Sequence, residues 1–369
     1  NPNPNPNPNP NSIPNPNTNT NTNHPNPSAN PNPNPNPMSC TGLYVSPAGK
    51  PTRASVRPTL QGSHPMSMDR RDVLLRSALA SAFGCMYNPL PALALDAPTL
   101  AHFPGALTSL ETEEAVFKSL SARGYNGGNT LFATSTCPDE VNYKDKELMA
   151  LMRNRWGEVP FALGGLAGVP FAGKAGLGAY AHHVPDEGKL LITFAPHVGV
   201  GIDGKIGAIE RDGQVGVSSA CGAGIGALKT LTNPGYTRPA STSTLSNLDD
   251  TQFEWIKLKL APKLAGIEGS KNPVAYVTYM MYELVCESMI AQVKASPGIF
   301  PDCSEVALLG GVQINRYGGD RFQPLFFQTL SSSGKATDMY KSTFGLLPEL
   351  TDVLGDAAAA KRMVVGSLA

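Results

Sequence analysis

Residues 1–37 alternate asparagine with proline so persistently that 29 of the 37 are one or the other, and none is Asp, Glu, Lys or Arg. Proline fixes φ and offers no amide donor, while asparagine adds no apolar surface, so such a tract cannot bury a core. It is expected to be disordered, and whatever this chain folds must be built downstream. The 37 Gly and 34 Pro of the whole 369-residue chain make about one residue in five a backbone punctuator, which excludes one long coiled coil.

The next stretch, residues 38–94, reads as an address. From Ser39 to Met68 it is basic, contains several Ser and Thr, and has no acidic residue, in the manner of organelle-targeting segments. There follow Arg70-Arg71, the apolar Val73-Leu74-Leu75 and Ser77–Phe83 runs, and Ala92-Leu93-Ala94. A twin arginine, an apolar region and a small-residue cleavage site in that order predict a bipartite leader, first into a chloroplast and then into the thylakoid lumen. The competing reading is an amphipathic N-terminal helix, because Arg76 interrupts the apolar run. Residues 95–369 remain as a single domain of about 275 residues, enough for a sizeable core.

The chain as a whole has zero formal charge, with 29 basic and 29 acidic residues. The leader holds six of the basic residues and two of the acidic ones, which leaves the body mildly acidic. No basic face for nucleic acid or an anionic membrane is expected. No segment approaches the ~20 apolar residues of a membrane span. The six cysteines show no CxxC pair, so a disulfide framework is not expected either.

Along the body, periodicity predicts a helix over Leu110–Arg123 ending at Gly124, with Glu111, Glu113 and Glu114 in its first turn. Strands are predicted at 129–135, 189–194, 306–309 and 322–330, and helices at 147–156, 222–231 (capped by Ser218-Ser219) and 272–295, the last being the longest. Strands alternating with helices point to an α/β fold with an open, mostly parallel central sheet flanked by helices.

The Gly-rich run 164–180 contains Gly168-Val-Pro-Phe-Ala-Gly-Lys174-Ala175, which misses the phosphate-loop pattern only at its last position. Ala175 lacks the hydroxyl that would hold Mg²⁺, and Pro170 removes an amide from the phosphate nest. A glycine loop packed close to a strand is the expectation.

Cys137 after the first strand, His197 after the strand ending at Phe194 and Cys221 at a helix start form a sharper signal. Turns at the carboxyl ends of an open α/β sheet converge on one crevice. A helix N-terminus favours the thiolate that a metal needs. Two Cys and one His around Zn²⁺ leave one tetrahedral position open, as a catalytic zinc requires. From spacing alone the signal is weak, and a buried core cysteine or a satisfied histidine is the commoner reading of each.

The motifs Gly165–Lys174, His182-His183-Val-Pro-Asp186, Phe194-Ala-Pro-His-Val-Gly199, Arg211-Asp-Gly-Gln214, Ser219-Ala-Cys-Gly-Ala223 and Leu309-Gly-Gly-Val-Gln-Ile-Asn315, in this order, resemble the low-CO2-inducible protein B family of algae. That family is related to the theta class of carbonic anhydrases. The resemblance runs over roughly residues 100–335 and implies a β-carbonic-anhydrase-like fold, usually dimeric, with zinc held by Cys137, His197 and Cys221. It also implies that Asp139, in Cys137-Pro-Asp139-Glu140, belongs to an Asp/Arg pair beside the metal. Arg153 is the first choice of partner, with Arg155 and Arg211 as competitors, because Val141 stands where ordinary β-class enzymes carry the arginine.

The chemistry agrees with that assignment. CO2 hydration needs hydroxide near neutral pH, and zinc supplies it by lowering the pKa of its water to about 7. Asp139 would orient that hydroxide, and a bidentate guanidinium would keep the carboxylate off the metal. His182 and His183 are conceivable proton relays. The expected activity is a zinc carbonic anhydrase acting on CO2 and bicarbonate in photosynthetic carbon concentration, as a homodimer. The rivals are a non-catalytic zinc-stabilised partner in a carbon-concentrating assembly and a hydrolase with Cys221 as nucleophile.

Overall fold

Leu190, Ile192 and Phe194 alternate with Leu191 and Ala195, and all five are buried, so this strand must be covered on both faces. The computed structural model describes residues 90–157, 160–237, 250–296, 303–363 and 368, and shows that double covering. The segment is β4 (Gly188–Ala195). It lies between β2 (Thr130–Thr136) and β8 (Cys303–Arg316), parallel to both. β3 (Phe161–Ala162) adds to the outer side of β2, and β5 (His197–Val200) continues β4 along β8, again in parallel. β9 (Arg321–Ser331) returns antiparallel to β8, and β1 (Leu107–Thr108) and β10 (Ala336–Asp338) pair antiparallel with β9. β6 (Ala208–Glu210) and β7 (Val217–Ser219) form a separate antiparallel hairpin.

One face of the sheet, through Ala133, Leu190, Ile192, Val306 and Leu308, packs against α4 (Gly173–His182), α5 (Gly222–Leu231), α6 (Thr251–Leu260) and the 22-residue α7 (Pro273–Lys294). The other face, through Phe132, Leu191, Ala307 and Leu309, packs against α2 (Ser109–Ser121), α3 (Leu148–Trp156) and α8 (Tyr340–Phe344). Two short helices, α9 (Thr351–Leu354) and α10 (Ala357–Arg362), close the described chain. The α/β expectation therefore holds, with β9 and its two partners as the antiparallel margin of a mostly parallel sheet.

Local capping signals explain the starts of two of the principal helices. Thr108 caps α2 in a reciprocal box: its hydroxyl accepts from the Glu111 amide at 3.2 Å and the Glu111 carboxylate accepts from the Thr108 amide at 2.8 Å. Asn272 caps α7 by accepting from the amides of Val274 and Ala275. The cap expected at Ser218-Ser219 is a correction, since both serines lie in β7 and the residue at the N-cap of α5 is Cys221.

α1 (Leu90–His102) runs across Ala92-Leu93-Ala94, so the boundary expected at residue 95 falls inside a helix. The Asn/Pro tract and the twin arginine lie outside the described residues. No described helix is long and apolar enough to cross a membrane.

Candidate metal centre

Parallel pairing brings the ligand-bearing turns together. Thr136 pairs with Ala195, so the chain leaves β2 at Cys137 beside the point where β4 passes through Pro196 into His197. Cys221 arrives from the hairpin, held there because the Gly199 amide donates to the Ala220 carbonyl at 2.8 Å and the Ala220 amide donates to Gly207. The Sγ atoms of Cys137 and Cys221 and a ring nitrogen of His197 all lie within 4.8 Å of one another, and all three residues are buried.

The glycine-rich segment forms the floor of this crevice. Gly168 has φ +82°, and a Cβ there would collide with the Ala195 carbonyl oxygen, so only glycine permits the close approach to the end of β4. Its own carbonyl accepts from Ser135 Oγ at 2.9 Å. The near-miss phosphate loop is thus a packing loop against two strands, as its departures from the pattern predict.

The two thiols share one hydrogen bond, with their sulfurs 4.0 Å apart. That bond, reinforced by burial, pushes the Cys137 thiol up. The same bond pulls Cys221 down against burial, helped by the Gly224 and Ala223 amides at the start of α5. Cys221 is the first of the pair to ionise. His197 Nδ1 is 2.8 Å from Asn315 Oδ1. Nε2 is buried without a hydrogen-bond partner, 3.8 Å from Asp139 Oδ2. An orphaned imidazole nitrogen facing two convergent thiols is costly in a protein interior unless something electrophilic joins it. This donor set suits a zinc ion.

Asp139 is gripped by Arg211, whose Nη1 and Nη2 donate to its two oxygens at 2.8 and 3.0 Å. Burial alone would raise the Asp139 carboxyl, but Arg211, together with Glu140 and His197, holds it down at about 2. Arg211 also contacts Glu140, and its Nε donates to Ser218 Oγ at 2.8 Å. The arginine assignment is therefore a correction. Arg155 is spent on Glu113 at 2.6 Å, and Arg153 sits on α3, with no bond to Asp139. The reason is topological: α3 covers the opposite face of the sheet, whereas β6 and β7 fold over the ends of β2 and β4. His182 and His183 are exposed at the end of α4, with His183 edge-on to Phe161, and neither lines the crevice. Asn315 was not singled out for a role. Its signal is that of a polar residue, with Gln313, beyond the apolar middle of β8, where a buried side chain must find partners.

Beside His197 and Cys221 is a cavity of about 10 Å³, walled by Ala167, Pro196, Ile225, Val277 and Met281. That is room for about one water.

A family model described as limiting CO2-inducible proteins B/C, beta carbonic anhydrases, matches residues 106–332. The chain belongs to this family. Among solved structures, PtLCIB4, a homologue of the limiting CO2-inducible protein LCIB, is 30% identical, with a TM-score of 0.59 over 66% of this chain and 98% of that one. LCIB itself is 20% identical, with a TM-score of 0.52 over 64% of this chain and 95% of that one, a likeness that shows the fold. Among curated proteins none matches. The β-carbonic-anhydrase type of α/β fold is thereby shown.

Proposed function

We propose that this chain is a zinc-dependent carbonic anhydrase that interconverts CO2 and bicarbonate, with Cys137, His197 and Cys221 as its metal ligands and Asp139 and Arg211 beside them. The observation that carries the reading is the pairing of three buried soft donors within 4.8 Å with a carboxylate that an arginine holds by both oxygens next to them. Three protein ligands leave one position for water, and zinc bound there supplies a nucleophile near neutral pH.

The chain's own residues do the rest. Asp139, ionised through Arg211, would accept a hydrogen bond from a water held at the site and fix its orientation. Arg211 keeps that carboxylate from taking the open position itself. Ala167, Pro196, Ile225, Val277 and Met281 give the cavity beside these ligands an apolar wall suited to a small apolar gas. A hydrolase with Cys221 as nucleophile would leave the second thiol, Cys137, and the Asp139–Arg211 pair without a task. A non-catalytic, zinc-stabilised partner protein is the remaining rival.

Two further parts of the proposal rest on other features. The leader reading assigns the protein to the chloroplast and its thylakoid lumen. A homodimer is supported by the resemblance and by Ile202, Val215, Val217 and Tyr317, which leave apolar side chains exposed near the hairpin. The decisive test of function is metal analysis with stopped-flow CO2 hydration on the full chain, in which α1 is whole. One zinc per chain with rapid hydration supports the enzyme, whereas one zinc with no turnover supports the partner protein.

A further inference from the structure

His197 is held from behind by a chain of polar groups whose far end sits on a different element. Asn315, fully buried near the end of β8, presents Oδ1 to His197 Nδ1 at 2.8 Å. Its Nδ2 donates to Asp320 Oδ2 at 2.8 Å and to the Val141 carbonyl at 3.1 Å. Asp320, 2% exposed in the turn between β8 and β9, is fixed in its own place. The Arg316 amide donates to its Oδ1 at 3.1 Å, and Gln313 Nε2 donates to its Oδ2 at 3.2 Å.

The orientation of an asparagine amide and the tautomer of a histidine follow from what surrounds them. Here both surroundings of Asn315 Nδ2, a carboxylate and a carbonyl, accept and cannot donate. Turning the amide over would set Oδ1 against two acceptors in a site closed to water and leave each of these groups unmet. Asn315 Oδ1 must therefore face His197. An oxygen acceptor there requires the proton on Nδ1, which leaves a lone pair on Nε2, the nitrogen that faces Asp139 and has no partner.

We propose that Asp320 is a positioning residue for the metal centre: acting through Asn315, it holds His197 in the Nδ1–H tautomer and so presents Nε2 as a ligand beside Cys137 and Cys221. The inference rests on the metal reading above and extends it to a residue that is not a ligand and lies two hydrogen bonds from one. Such outer partners of a histidine ligand are typically worth 10- to 100-fold in metal affinity.

The test reads the tautomer and the affinity separately. Ring ¹⁵N chemical shifts of His197 are measured on chelator-stripped protein, and zinc dissociation constants by competition with a chromophoric chelator. The wild type, Asn315→Leu, Asp320→Ala and Gln313→Leu are compared, each checked for folding by circular dichroism. Gln313 pairs with His197 across β5 and β8, but its side chain donates to Asp320 and makes no hydrogen bond to Asn315 or to the His197 ring, so its variant reports on loss of packing beside the ring with the Asn315 bond left in place. The wild type is expected to show the Nδ1–H pattern. Asn315→Leu and Asp320→Ala should move His197 toward the Nε2–H form and weaken zinc by roughly 10- to 100-fold. Gln313→Leu should melt earlier, keep the Nδ1–H pattern and bind zinc within about threefold of wild type. An Nε2–H pattern in the wild type overturns the inference, as does Asp320→Ala with unchanged tautomer and zinc affinity. A wild type with the Nδ1–H pattern that takes up no zinc overturns the metal reading beneath it, and the tautomer distinguishes that failure from the other two.

Discussion

Replacing Arg211 by alanine isolates the task assigned to it. The guanidinium donates to Asp139 at 2.8 and 3.0 Å, and both side chains are about 15% exposed, so solvent replaces little of the loss. Hydrogen bonds to charged groups contribute ~1.5–3 kcal/mol each. Two at the low end amount to roughly 3 kcal/mol, or about 10²-fold in the balance between a carboxylate held away and one free to swing. Asp139 Oδ2 already lies 3.8 Å from His197 Nε2, so the freed carboxylate has only a short way to go to compete for the open position. Zinc content should stay at one per chain or bind more tightly, while kcat/KM for CO2 hydration falls by ~10²-fold. Arg211→Lys, which keeps the charge but cannot bond both oxygens, should fall between. Arg153→Ala should be indistinguishable from wild type. Activity within twofold of wild type in Arg211→Ala, at equal zinc occupancy, would refute the role given to the pair.

Asp139→Asn keeps the shape but loses the charge that anchors Arg211; zinc should stay near stoichiometric in metal analysis while turnover drops by roughly 10²-fold. Gly168→Ala forces a Cβ toward the Ala195 carbonyl at φ +82°, and should lower the thermal midpoint by several degrees, consistent with a strain of about 1–3 kcal/mol read by calorimetry. ATP and GTP should not bind at 168–174, because the Gly168 carbonyl is bonded to Ser135 and Pro170 lacks an amide; micromolar affinity in titration calorimetry would contradict this. Burial, with the charge of Glu147, pushes the Asp320 carboxyl up from about 3.8 to about 6. A raised folded-state value means the native state holds the proton longer, so this group's contribution to stability is greatest below about pH 4 and declines by ~3 kcal/mol as pH rises to about 6. Denaturant midpoints of Asp320→Asn should accordingly lose that slope relative to wild type across the same window.

Where a segment carried its own periodic or capping signal, the sequence disclosed it. The alternation in Leu190–Phe194, the long apolar α7 behind Asn272 and the acidic first turn of α2 all formed within a few residues of their expected places. β8 is far longer than the strand expected at 306–309, since it continues through Gly310 and Gly311 to Arg316. In the fold they are the positions where Phe194 and the β9 residues Phe322 and Gln323 press against the strand. β5 and the β6–β7 hairpin carry too few alternating residues to be seen locally, and α6 was passed over; the hairpin and β5 exist through tertiary pairing. The site divides the same way. The three soft donors stood out by residue type and position and Asp139 through the family resemblance, and the structure brings them together. The arginine was misplaced because proximity along the chain favoured α3, while the guanidinium arrives from a hairpin some seventy residues away. Asn315 closes one of the family motifs without a role attached to it and Asp320 stands in none, so only their shared burial reveals what they hold.

The most direct measurement is the loss of ¹⁸O from labelled CO2 into water, followed by mass spectrometry with the zinc-loaded protein, after chelation, and after zinc is restored. Exchange should rise in proportion to bound zinc, return to the uncatalysed rate on chelation, and recover when zinc is added to the wild type but not to Cys137→Ala, His197→Ala or Cys221→Ala. Stoichiometric zinc with exchange no faster than in buffer would contradict a carbonic anhydrase, and full zinc occupancy in any of the three variants would contradict the ligand set.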